Sequence, residues 1–293
     1  MQRILMLTTL ACLAACSRQQ ESLAPANVAV AAPVAAARAE SATPAGPRDL
    51  GRAKAGEWMA AIFGDRYDAK ARRALTGSAD EGFNALSFVA AAQLEAGRVA
   101  VIVNGTPADA AGAEQASHAE GGDMHVFVLR SAGAGWQVSD RYENVANLGS
   151  HGHFGAVKWI ALAPGKPGFI VSSGGVWQGY EILSADIFAL AGGVQALGSF
   201  NEHSGNSGAC GPEADECWDI GGKISVAPAV PGQAGAQYAD LVVDFTGERY
   251  KVTEDAKGGL EKHHIADVKQ TARYRFDGKA YKLVAGENPV PGV

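Results

Sequence analysis

From Asn84 onward glycine punctuates the chain at short intervals, and between the glycines lie brief runs of apolar, β-branched and aromatic residues. Runs of this length and composition, bounded by turn residues, read as β-strands. They cover Val99 to Val103, His125 to Arg130, Trp136 to Ser139, Val157 to Leu162, Phe169 to Ser172, Tyr180 to Leu183 and Ile187 to Leu190. The series continues through Lys223 to Val226, Leu241 to Phe245, Arg273 to Phe276 and Ala280 to Val284. No helical stretch of crossover length separates them, which argues against a parallel α/β sheet. Turn centres are expected near Gly133, Gly165, Gly192, Gly222, Gly247 and Gly278. Their spacing is loose and carries no shared motif, so the expected fold is mainly β, with antiparallel hairpins in a sandwich; a propeller-like assembly is the alternative. The clearest single hairpin is Tyr274 to Tyr281, where Asp277-Gly278 suits a type I′ turn.

Ahead of the strands the pattern is helical. Ala55, Trp58, Met59, Ala61 and Ile62 recur at three-to-four spacing and Gly64 is placed to stop the helix; a second short helix is expected from Asp68 to Leu75. Residues 17 to 48 are rich in Ala and Pro and hold no aromatic residue, so they have little to bury and read as a tether. The folded domain is therefore expected over residues 49–293. With 47% hydrophobic residues in 293, the chain can supply a sizeable core. A formal charge of −6, without a Lys/Arg cluster beyond Arg72-Arg73, excludes nucleic acid as a partner class.

The first residues form a charged start at Arg3, an apolar run from Ile4 to Leu13 and the small residues Ala14 and Ala15 before Cys16. This is the order of a secretory signal, and the run is too short to span a bilayer, which takes about 20 residues. Leu13-Ala14-Ala15-Cys16 resembles the lipobox of bacterial lipoproteins. That resemblance implies removal of residues 1–15, acylation of Cys16 and anchoring to a membrane through lipid. Ser17 after the cysteine resembles the signal for transfer to the outer membrane, with the domain facing the periplasm. Once Cys12 is removed and Cys16 lipidated, Cys210 and Cys217 remain, and in an oxidising compartment they are expected to form a disulfide.

Four local patterns bear on chemistry. Gly205-Asn206-Ser207-Gly208-Ala209 is similar over five residues to the nucleophile loop of trypsin-like serine proteases. Its final glycine is Ala209 here, and no matching histidine segment lies upstream, so Ser207 reads as part of a plain loop. His151 and His153 form a His-x-His pair, with His118 and His125 upstream, whereas His263-His264 would point to opposite faces of a strand. Without a third ligand at recognisable spacing the pair reads as loop histidines rather than a metal site. Asp215, Glu216 and Asp219 could offer oxygens to calcium but lack the order of a dedicated loop. Trp177 and Tyr180 could line a binding face.

No catalytic residue and no cofactor is assigned from this. The expected role is a non-catalytic binding or structural module of the cell envelope with an envelope protein as possible partner. The alternatives are an envelope hydrolase whose residues are dispersed along the chain, and a small-ligand or metal-binding lipoprotein.

Overall fold

A computed structural model describes residues 46–227 and 237–292. The signal segment, Cys16 and the tether up to residue 45 lie outside the described residues. The paired structure begins inside the stretch read as tether, because strand β1 (Arg48–Asp49) already hydrogen-bonds to a later strand. Helix α1 (Ala55–Phe63) follows and buries Trp58, Met59, Ile62 and Phe63 on one side. Each large apolar side chain fully removed from water contributes about 1.5–3 kcal/mol, so this face fixes the helix to the sheet beneath it. Gly64 ends the helix at φ 58, a left-handed conformation that glycine adopts without a Cβ penalty.

The expected second helix does not form. A single 3-10 turn at Gly64–Arg66 leads into β2 (Tyr67–Asp68) and β3 (Arg73–Ser78), which pair as a hairpin. The Asp68 carboxylate accepts from the amides of Lys70 and Ala71 and closes the turn locally. The helix-forming composition of residues 69–75 is a weak preference, and pairing of β3 along β4 (Gly82–Glu95) overrides it. The rest of the first sheet is β5 (Arg98–Ala108), β6 (Gly122–Ala132) and β7 (Gly135–Leu148). Its order is β2-β3-β4-β5-β6-β7, with β1 pairing with β4.

The second sheet is a continuous antiparallel meander of eight strands, each beside its neighbours in sequence. It comprises β8 (Val157–Ala163), β9 (Lys166–Trp177), β10 (Tyr180–Ala189), β11 (Gln195–Gly205) and β12 (Cys217–Ala227). It ends with β13 (Asp240–Glu254), β14 (Leu260–Phe276) and β15 (Tyr281–Ala285). The molecule is thus mainly β, a sandwich-like assembly of two antiparallel sheets rather than a propeller, with one short α-helix.

Three apolar layers follow from strand alternation. Trp58, Phe63, Phe88, Val101 and Phe127 join α1 to one face of the first sheet. Ile102, Met124 and Val126 from its other face meet Phe169, Val171 and Phe188 of the second sheet. The opposite face of the second sheet packs Ile170, Ile187, Ile220, Val243, Phe245 and Phe276.

Gly133, Gly165 and Gly192 sit at turns as expected, but Gly222 and Gly247 lie within paired strands. A Cβ at Gly222 would stand 2.6 Å from the Val243 side chain, and one at Gly247 would stand 2.1 Å from the Asp219 carbonyl oxygen. Their glycines make room rather than turns. The hairpin between β14 and β15 forms, with Phe276 opposite Tyr281. Its turn is not type I′: only Gly278 has positive φ, and the Asp277 carboxylate accepts from the amides of Lys279 and Ala280.

Candidate functional site

A groove of about 710 Å³ lies along one face of the second sheet, between β9 and β14. Strand alternation places Asp219, Gly221 and Lys223 of β12 on this face, beside Thr246 and Glu248 of β13 and Asp267 of β14. Gly221 leaves the floor beside His203 bare; a Cβ there would stand 3.2 Å from the imidazole. The wall on β11 depends on an irregularity. Leu183 pairs with His203 and Ser184 with Asn201, so Glu202 is an extra residue in β11. Such a bulge re-aims side chains, and both Glu202 and His203 face the groove.

The groove's side chains are held by hydrogen bonds. The His203 imidazole Nε2 lies 2.9 Å from Asp219 Oδ1, and Ser172 Oγ donates to Glu202 at 2.6 Å. His203 Nδ1 is buried and has no partner among the described residues, so the proton sits on Nε2, facing the carboxylate. Glu248 is paired with Lys262. Four carboxylates, those of Glu202, Asp219, Glu248 and Asp267, line the groove against one lysine, Lys223. The one hydroxyl hydrogen-bonded in the groove, that of Ser172, is turned to Glu202 and not to the imidazole. The arrangement can hold a cationic, extended ligand by charge and hydrogen bonding.

The loop histidines separate into two environments. His118 and His151 approach with ring centroids 4.5 Å apart, and Trp177 stacks on His118 at 5.6 Å. His153 turns away, its Nε2 3.0 Å from Glu114 and its Nδ1 beside the Asn104 amide. The two histidines of the His-x-His string therefore serve different contacts. Among the described residues no group of three or more His, Cys, Asp or Glu side chains is arranged to hold a metal ion. His263 meets Thr253 on an exposed strand, and His125 lies under the end of α1.

Trp177 and Tyr180 flank a two-residue turn, with Gln178 and Gly179 both at positive φ. Tyr180 packs near Trp218 at 6.0 Å, while Trp177 joins the histidines, so the two rings do not share a surface. The hairpin tip rests on the loop after β11, where Gly208 N donates to Gly179 O. That loop carries Ser207, which lines a small depression with Cys210, Tyr250, Val252, Leu260, Glu261 and Lys262, without a histidine. Cys210 and Cys217 are bonded, with Cα atoms 5.6 Å apart. The acidic residues around the bridge diverge: Glu216 pairs with Arg249, and Asp219 faces His203.

No protein-family model matches the chain, and no curated protein matches it. Among the described residues no helix is long and apolar enough to cross a membrane.

Proposed function

We propose that this chain is an outer-membrane lipoprotein, acylated at Cys16 and facing the periplasm, that works as a non-catalytic binding module. Its site is the groove of the second sheet, and its ligand is a basic, extended segment of an envelope protein. The observation that carries this reading is the groove's lining: four carboxylates, two of them with lysine neighbours in Lys262 and Lys269 and two without among the described residues, over a floor left bare at Gly221. Complementary charge steers such a partner and fixes its register, with salt-dependent association. With no side chain at Gly221, a backbone can approach the sheet beside His203. The fixed hydrogen bonds of Ser172, Glu202, His203 and Asp219 limit the ordering cost of binding.

The test is photo-crosslinking in living cells from a reactive residue at Thr246, inside the groove, with the same residue at Lys279 on the distant β14–β15 turn as control. One envelope protein captured from position 246, not from 279, and lost with Glu202→Gln/Asp267→Asn, is the expected result. Equal capture at both positions, or none, overturns the groove. Turnover of ester or peptide substrates that disappears with His203→Asn would instead make the chain a hydrolase.

A further inference from the structure

The face of the first sheet under α1 changes character along its length. Beneath the helix it is apolar, with Phe88, Val101, Phe127 and Leu129 in contact with Trp58 and Phe63. Beyond the helix end the same face carries Thr76, Asn84, Asp123 and His125. Gly105 lies between them, opposite Asp123 on the neighbouring strand, and a Cβ there would stand 2.8 Å from His125 Nε2 and 3.1 Å from Leu86. The missing side chain leaves a pocket of about 200 Å³. Phe63, Leu86 and Phe127 make its apolar wall, and Arg66, Glu143 and Asn144 complete the rim.

A bulge builds this pocket. Met124 pairs with Ala146 and Val126 with Tyr142, so residues 143–145 of β7 oppose His125 alone. Asn144 at its centre has φ 52, a conformation uncommon for a residue with a side chain. Its amide donates to His125 Nδ1 at 3.2 Å. The imidazole is nine-tenths buried, and with Nδ1 accepting, its proton is on Nε2. Nε2 has no hydrogen-bond partner among the described residues. Burial pushes the His125 pKa down, against the pull of Asp123 and Glu143, which keeps the ring a neutral donor. Backbone strain and a bulge spent on orienting one buried imidazole are features that concentrate at ligand sites.

We infer that this pocket binds a small zwitterion of amino-acid size. The Nε2–H of His125 and the Arg66 guanidinium offer two donors to a carboxylate, and Asp123 and Glu143 offer two carboxylates to an ammonium group. Asp123 is fixed by the Asn147 amide at 2.8 Å. The volume is below the range of about 300–1,000 Å³ typical of drug-sized ligands, which restricts the occupant to a few heavy atoms. The site is separate from the groove of the second sheet and does not rest on it.

The probes are glycine, L-alanine and D-alanine, titrated into the lipid-free mature chain while the His125 imidazole resonance is followed by NMR; propionate and ethylamine serve as single-charge controls. At least one amino acid should move that resonance in a saturable way, and neither control should do so at the same concentrations. Glu143→Gln keeps the pocket's shape at an exposed position and should weaken binding about tenfold, the loss expected for one charged hydrogen bond. Gly105→Ala should fill the floor and abolish binding. Unchanged thermal midpoints for Glu143→Gln establish that its fold is intact. No response to any of the three amino acids, equal binding of propionate or ethylamine, or binding indifferent to Glu143→Gln would overturn the inference.

Discussion

Asp240 is the most confined charge in the second sheet, 2% exposed at the start of β13. It accepts from Arg275 through two nitrogens, at 3.0 and 2.8 Å, and from Arg273 at 3.0 Å. Hydrogen bonding to Arg275 outweighs the opposing effect of burial and, with the smaller contribution of Arg273, holds its carboxyl below the ordinary carboxylate value. Replacing it by Asn leaves two guanidinium groups without their anion, and Asp240→Asn should cost about 3 kcal/mol of stability at neutral pH. The sign of the pH dependence follows from the lowered pKa. The unfolded chain binds the proton first, so this contribution is present above the ordinary value of 3.8 and is lost as pH falls through the folded value. Urea unfolding should therefore separate wild type from Asp240→Asn at pH 7, and the gap should narrow in acid; a constant gap would refute the ion-pair account. The spacing of Arg273 and Arg275 on one strand face is readable in the sequence, but their partner is not, because it belongs to the neighbouring strand. His203 and His125 were hidden for the same reason: each owes its role to a cross-strand neighbour. His151 and Trp177, singled out for separate reasons, both lie against His118, while His153 and Tyr180 make other contacts.

At the scale of elements, apolar runs were legible where strands are buried: continuous in β5, β6 and β9, which bury both faces, and alternating in β13. The N-terminal half of β14 was not, because residues 260–267 are all exposed and carry Glu261, Lys262, His263, His264 and Asp267. Its pairing to β13 rests on backbone bonds and on polar side-chain contacts such as Lys262 with Glu248 and His263 with Thr253, which leave no apolar pattern in the sequence, and its charges discourage a second chain from adding to that edge. β11 was missed because its alternation is broken by the bulge at Glu202. Bulges leave no local signal, and both the groove and the pocket depend on one. The disulfide loop was legible, since two cysteines seven residues apart have few alternatives. Closing so short a loop restricts the unfolded chain by about 2.5 kcal/mol in the chain-entropy model. Cys210→Ser/Cys217→Ser should lose about that much stability in denaturant titration, and reductant should lower the thermal midpoint of wild type but not of the variant. The loop also supports the β9–β10 hairpin tip through Gly208 and Gly179, so the loss should be accompanied by faster amide exchange at Trp177 to Tyr180. A variant as stable as wild type would make the bridge energetically idle.

For the molecule as a whole, meandering order was foreseeable from short connections, because consecutive strands with tight turns pair with each other. A sandwich of sheets was expected too, but the place where the chain passes from one sheet to the other was not. It falls between β7 and β8, where the chain leaves the first sheet through residues 149–156, and that stretch is held by Asn104 and Thr106, both bonded to Gly152 O. Among the described residues the buried members of every apolar cluster lie from Trp58 onward, with Leu50 and Ala55 packed against the one under α1. The proposed lipid anchor at Cys16 is thus far upstream in sequence of all the packing that stabilises the fold, and anchoring and folding should be separable. Cys16→Ala should abolish labelling by radioactive palmitate and move the protein from the membrane to the soluble periplasmic fraction. Each buried acyl methylene contributes about 0.8 kcal/mol to membrane binding, so loss of the chains should be decisive and not gradual. The thermal midpoint of the variant should equal that of delipidated wild type, because the apolar clusters of the described residues are built from residues downstream of Cys16. Wild type that takes up no palmitate, together with a variant that still sediments with membranes, would end the lipoprotein reading and leave both binding sites on a protein held to its membrane by some other surface.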